Sequence, residues 1–298
     1  MEAALSQNGC AGQWLVLGAS GFVGRATCRE LKSRGFGVTE IDHATSGKNR
    51  RIDVHNLDAL RGLFRELQPA VLISAVGHPP SVSESAIREF YRQSTLNVLD
   101  ALRGQTSKCR VILLGSAAEY GNSPESGSRE EDNLRPLSEY GRAKAEQFDM
   151  ACRFTADGLD IMTARLFNPL GPGQDDRHFA GALMKRIHSG ENPLRVDHAN
   201  HLRDWIDIRD VANALVTLAV AADSPRVINI CTGKSQTVGT LAAKVASVTG
   251  VQIQMRPAEI SAGDLWRSVG NSERMHQLGF QPRYTLQQSL LDQWRSLV

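Results

Sequence analysis

Gln13-Trp14-Leu15-Val16-Leu17-Gly18-Ala19-Ser20-Gly21-Phe22-Val23-Gly24 is the stretch on which the fold turns. A short apolar run reads as a buried strand, and the glycines that follow open directly into an amphipathic pattern from Phe22 to Arg34. In such a turn Gly18 permits the tight change of direction and Gly21 lets the backbone approach a pyrophosphate. Gly24 allows close packing of helix on sheet. The helix N-terminus adds free N–H groups and a partial positive charge for phosphate. A glycine triplet alone is weak evidence, but here strand and helix stand in their required places. The loop residues Gly18, Ser20, Gly21, Phe22, Val23 and Gly24 are therefore expected to hold a dinucleotide. Eighteen residues past Gly24, Asp42 ends a second apolar run. A carboxylate there accepts from ribose hydroxyls and repels a 2′-phosphate, which favours NAD(H). Arg25, Lys48, Arg50 and Arg51 leave NADP(H) open. Asp53, closing a short strand Arg51–Val54, meets either the adenine edge or a turn, and Val54 is placed beside the cofactor with it.

Outward from this loop, apolar runs alternate with helical patterns. Gly37–Ile41, Ala70–Ser74, Arg110–Leu114, Asp160–Leu166 and Arg226–Ile230 read as strands. Leu57–Leu67, Ser85–Leu102, Tyr140–Ala156 and Val211–Ala221 read as helices. This alternation predicts an α/β fold, a doubly wound parallel sheet covered on both faces. Beyond Gly171 the pattern weakens into a helix at Phe179–Ser189, a polar loop, a helix near Thr240–Thr249, a strand at Val251–Met255 and a helix at Leu286–Leu297. The expected division is a tail at 1–12, a sheet domain at 13–170 and 203–230, and a smaller interleaved lobe at 171–202 and 231–298.

The chain of 298 residues has 41% hydrophobic and 22% charged residues and a formal charge of +2, which leaves no electrostatic footprint for nucleic acid. No apolar run approaches the ~20 residues of a membrane span, and Met1–Gly12 lacks the order of a signal peptide. The five cysteines are scattered, without C-x-x-C spacing, so neither a disulfide framework nor a zinc site is expected, and a reducing cytoplasm fits. His198 and His201 find no further ligand in sequence. They are taken as surface or substrate-loop residues, with no metal.

Tyr140 and Lys144 stand at i and i+4, on one helix face. A free phenol ionises near ~10, too high for a base at neutral pH. A neighbouring ammonium, aided by a positive nicotinamide, is expected to bring it down. Ser116 follows the strand ending at Leu114, where a parallel sheet presents ligand groups, and its hydroxyl can hold a reacting oxygen. Ser116, Tyr140 and Lys144 form the expected catalytic set.

Together these residues resemble the extended short-chain dehydrogenase/reductase family, in particular its NAD-dependent nucleotide-sugar epimerases, dehydratases and reductases. The match continues through Leu114–Gly121, Tyr140–Lys144, Arg165–Gln174, Arg203–Asp210, Asn229–Gly233 and Leu278–Pro282. The resemblance implies a Rossmann domain holding NAD(P) and a C-terminal lobe holding a nucleoside diphosphate sugar. It also implies substrate contacts at Asn168, Arg203 and Arg267, where a guanidinium suits diphosphate oxygens. An inter-lobe salt bridge is the structural alternative for either arginine.

Two departures stand out. Family dehydratases carry acids in the two positions after the catalytic Ser or Thr, and here these are Ala117 and Ala118, which move no proton. Glu119 lies one residue further on, leaving only a shifted role. Tyr91-Arg92-Gln93-Ser94-Thr95 replaces an Asn-x-x-Gly-Thr pattern, which touches helix packing or a substrate contact. The expected activity is hydride transfer at a sugar carbon, C4, leaning to reduction of a 4-keto-6-deoxy sugar as in the GDP-linked reductases that the chain resembles. A 4-epimerase is the alternative, and a non-catalytic NAD(P)-sensing regulator the alternative of another class. Relatives of this type pair through two helices, so a homodimer through Ser85–Leu102 and Tyr140–Ala156 is expected.

Overall fold

The computed structural model describes residues 12–43, 50–78, 82–103, 105, 108–223, 225–261 and 263–297. The strands β1 (Trp14–Leu17), β2 (Val38–Asp42), β3 (Arg50–Arg51), β4 (Val71–Ser74), β5 (Arg110–Ser116) and β6 (Asp160–Leu166) join Val227–Ile230 in one sheet. Its order is Val227–Ile230, β6, β5, β4, β1, β2, β3, with every pairing parallel. The order reverses between β1 and β4, and a crevice opens at the strands' carboxyl ends at such a point.

Both faces of the sheet are buried, which is why its strands read as unbroken apolar runs. Along β1, Trp14 and Val16 enter one core cluster while Leu15 and Leu17 enter the other. The helices α1 (Phe22–Ser33) and α6 (Ile208–Val220) pack on the first face. The helices α2 (Leu57–Leu67), α3 (Ile87–Arg103) and α4 (Glu139–Ala156) cover the second. A separate cluster of Leu170, Leu183, Met184, Leu194, Trp205, Leu241 and Leu290 gathers the later elements, α5 (Phe179–His188), α7 (Val238–Thr249) and the helix Leu286–Arg295.

Most bounds differ from the sequence reading by a few residues, but one difference has chemical meaning. The third strand is Arg50–Arg51, so Asp53 and Val54 sit in a turn, not at a strand end. The Asp53 carboxylate accepts the His55 N–H at 2.9 Å, and the Val54 carbonyl accepts from Asn97 at 3.1 Å. Asp53 thus serves a turn. Lys48 and Pro79–Ser81 lie outside the described residues. Arg50 is paired with Glu66 at 2.6 Å. Among the described residues no helix is long and apolar enough to cross a membrane.

Candidate active site

The loop after β1 is built by close approach. Gly18 has φ +75°, and a Cβ there would lie 2.5 Å from the Ala75 carbonyl oxygen. A Cβ on Gly24 would lie 2.1 Å from the Gly18 oxygen. Helix α1 begins at Phe22 with no side-chain cap and no acid in its first turn, so its N–H groups face outward unclaimed by side chains. This backbone cradle, which methyl groups would fill, fits a dinucleotide pyrophosphate. Asp42 is 4% exposed and serves the cradle itself, accepting from Ser20 N at 2.8 Å and Ser20 Oγ at 2.5 Å. Burial pushes its carboxyl up, but the hydrogen bonds from Ser20 and His43 outweigh that and hold it below the usual range. Arg25 reaches from this loop to the segment past β6, donating to the Gly173 carbonyl at 2.8 Å.

Ser116 ends β5 and starts a single tight turn, Ala117–Glu119. Its Oγ accepts from Ala118 N at 3.2 Å, while its own N–H donates to Glu119 Oε1 at 2.7 Å. This reciprocal pair is a capping box, and it sets the serine's orientation. Glu119 is fully buried and paired with fully buried Arg165 at 2.6 Å. Arg165 in turn donates to Tyr120 Oη at 2.7 Å and to the Glu130 carbonyl at 3.1 Å. Glu119 therefore has no access to a substrate, and the shifted acid–base role is ruled out by its placement.

Helix α4, capped by Ser138, carries half-buried Tyr140 and buried Lys144. Ser116 acts on the Tyr140 phenol as a hydrogen-bond partner. Lys144 Nζ donates to the Leu114 carbonyl at 2.8 Å and to Gln147 Oε1 at 2.9 Å. Burial pushes Tyr140 up to about 12, opposed by the Ser116 hydroxyl and reinforced by the Glu119 charge. Burial lowers Lys144 to about 8.

Asn168, just past β6, has φ +26° and donates to the Asp204 carbonyl at 3.0 Å. With Arg203 it lines a cavity of about 390 Å³, whose wall also holds Phe179, His198, His201 and Trp205. That size falls within the ~300–1,000 Å³ of ligand pockets. Arg203 donates to the Leu202 and Leu265 carbonyls at 2.9 and 2.7 Å and makes no ion pair among the described residues. The rings of His198 and His201 lie 4.7 Å apart, with His198 exposed and His201 buried. His201 Nε2 and Trp205 Nε1 are buried in the same wall without a protein partner. Sequence reasoning missed Trp205, whose only signal was its place inside Arg203–Asp210. Arg267 stands outside this wall, with its guanidinium bound to the Pro124 and Glu125 carbonyls at 3.0 and 2.8 Å. Its placement is that of a loop clamp. Among the described residues no group of His, Cys, Asp or Glu is arranged to hold a metal.

The model of the NAD dependent epimerase/dehydratase family matches residues 14–231. The chain belongs to that family. This epimerase/dehydratase-family enzyme is of the extended short-chain dehydrogenase type, and its relatives align over nearly all of it. The dTDP-6-deoxy-L-talose 4-dehydrogenase (NAD(P)(+)) of Kitasatospora kifunensis is 26% identical over 94% of this chain and 93% of that protein. The GDP-6-deoxy-D-mannose reductase of Pseudomonas aeruginosa is 26% identical over 95% and 97%. The crystal structure of Thermus thermophilus UDP-glucose 4-epimerase with NAD shares the fold, with a TM-score of 0.85, 24% identity, and coverage of 95% and 98%.

Proposed function

We propose that the enzyme transfers hydride at C4 of a nucleoside diphosphate sugar, in the net direction of 4-keto-6-deoxy-sugar reduction. The observation that carries this reading is the meeting of Ser116 and Tyr140 at the end of β5, two strands along the sheet from β1 and its dinucleotide cradle, over the buried Lys144. When bound, the nicotinamide supplies the hydride. Ser116, its oxygen oriented by Ala118 N–H, donates to the carbonyl oxygen of the sugar. Tyr140 gives its phenolic proton to that oxygen as the carbon is reduced, and Lys144 offsets the charge left on the phenolate. Gly18, Ser20, Gly21, Phe22, Val23, Gly24 and Asp42 hold the cofactor, with NAD(H) favoured because Asp42 closes the cradle where a 2′-phosphate would sit. The lobe cavity with Asn168 and Arg203 takes the nucleotide sugar. Dehydration has no acid to drive it, since Ala117 and Ala118 are inert and Glu119 is committed to Arg165.

A 4-epimerase is the second reading, favoured by the resemblance of Gly263-Asp264-Leu265-Trp266-Arg267-Ser268 to epimerases. Absorbance near ~340 nm with a panel of nucleotide sugars separates the two. Stoichiometric loss of reduced cofactor marks a reductase, and turnover without net redox marks an epimerase. Tyr140→Phe lowers kcat by ~10²–10⁴-fold while cofactor binding persists. Full activity in that variant would refute the mechanism.

A further inference from the structure

Lys144 is 3% exposed and brings three N–H donors into an apolar setting. Two donors are met by oxygen, from Leu114 and Gln147, and Gln147 is anchored in turn by donating to Thr95 Oγ1 at 3.0 Å. A third side of the ammonium faces the ring of Tyr91, whose centroid lies 4.2 Å from Nζ. That is well inside the ~6 Å reach of a cation–π contact, whereas the Tyr140 centroid is at 6.0 Å. Tyr91 is itself fixed. It is 3% exposed and packs edge-on against Phe90 and Tyr140, with centroids at 5.5 and 5.9 Å. Its hydroxyl lies 3.2 Å from His78 Nδ1.

The groups whose charge bears on this lysine are few. Tyr140 comes from α4, Glu119 from the turn after β5 and His78 from the loop after β4, while Arg177 acts on His78 and Tyr91. Glu119 is the carboxylate whose charge reaches Lys144, and it is already shared with Arg165. A buried ammonium with half of a counter-ion is drawn toward its neutral form. An aromatic face attracts the charged form alone, and most strongly where water is excluded.

We propose that Tyr91 is a positioning residue for Lys144, its π face keeping the ammonium protonated and seated at the end of β5. The inference rests on the reading of Tyr140 and Lys144 as the proton-transfer pair, and its test does not depend on turnover. Side-chain NMR of lysine-labelled full-length protein, with Lys144→Met to assign the signal, gives the Lys144 titration directly. Tyr91→Phe keeps the face and titrates with the wild type. Tyr91→Leu titrates about one pH unit lower, as does a chain with pentafluorophenylalanine in place of Tyr91, whose face has the opposite polarity. The fluorinated ring keeps the packing, so the test stands even where the leucine variant does not fold. An unmoved titration in the fluorinated chain overturns the proposal. So does a Tyr91→Phe shift as large as that of the fluorinated ring, because the hydroxyl and His78 would then be the cause. In turnover, the alkaline limb of kcat moves with the titration while KM for the sugar nucleotide stays constant. A titration that moves without the limb counts against Lys144 in the reaction and leaves its dependence on Tyr91 standing.

Discussion

Burial draws the Lys144 ammonium from 10.5 down to about 8, so its support for a phenolate is present below that pH and lost above it. In the proposed reduction kcat is therefore flat below about pH 8 and falls above it, and Lys144→Met leaves a low rate without that limb. Stability follows with the opposite sense. The unfolded lysine keeps its proton to 10.5 while the folded one releases it near 8, so between these values the wild type gains stability relative to Lys144→Met as pH rises. Urea midpoints of the two proteins at about pH 7.5 and 9.5 show the change. Behind the serine, Glu119→Gln strands a buried guanidinium and costs about 3–5 kcal/mol, while adding Arg165→Met recovers much of the loss. Denaturant unfolding of the wild type and the two variants checks this, and equal losses in both variants would disprove the pairing.

At the level of elements, the glycine loop makes a sharp contrast with a glycine on an open helix face. Gly24→Ala places a methyl 2.1 Å from a carbonyl oxygen, so it weakens cofactor binding at least about tenfold and destabilises by roughly 1–3 kcal/mol. Gly62→Ala in α2 meets nothing within 4 Å and stabilises by about 0.5–1 kcal/mol. Cofactor fluorescence titration and thermal melts distinguish them. The elements legible in sequence are those with their own period. Leu57–Leu67 and Asp160–Leu166 can be read to the residue because each carries its burial pattern locally. The small pairings of the lobe cannot, since Leu194–Val196 finds Ile253–Met255 only through the fold. The loop of Gly18 to Gly24 announces itself through glycine spacing, and the Tyr140–Lys144 pair through helical spacing. The role of Glu119 is written locally as Ser-x-x-Glu, a capping-box pattern, yet its partner Arg165 lies on another strand. Gln147 stands three residues after Lys144, but nothing in that spacing tells which lysine proton it receives. Tyr91 is visible only as a departure from the family pattern, because its contact with Lys144 joins two helices far apart in sequence.

Across the whole molecule, a few polar groups tie together segments distant in sequence. Asp204 is fully buried and accepts from Thr232 N and Oγ1 at 2.9 and 2.6 Å and from Gly233 N at 2.8 Å. Burial raises its carboxyl to about 6, partly opposed by these donors. A raised acid contributes stability below its unfolded value of 3.8 and loses it as pH climbs through about 6. Relative to Asp204→Asn, the wild type therefore gains stability on acidification from pH 6 to 4, measured as the difference in unfolding midpoints. On the other side, Arg25 ties the helix of the dinucleotide loop to Gly173, next to the cavity-lining Gln174, so the cradle and the cavity share one framework. Asn168 sits where that framework meets the cavity, at φ +26°. Few side chains tolerate such a backbone, and asparagine and glycine tolerate it best. For a lineage descending from this enzyme, mutation at position 168 is nearly a closed road. New substrates must be won elsewhere along the wall, where Phe179 and Leu265 can be exchanged without bending the chain.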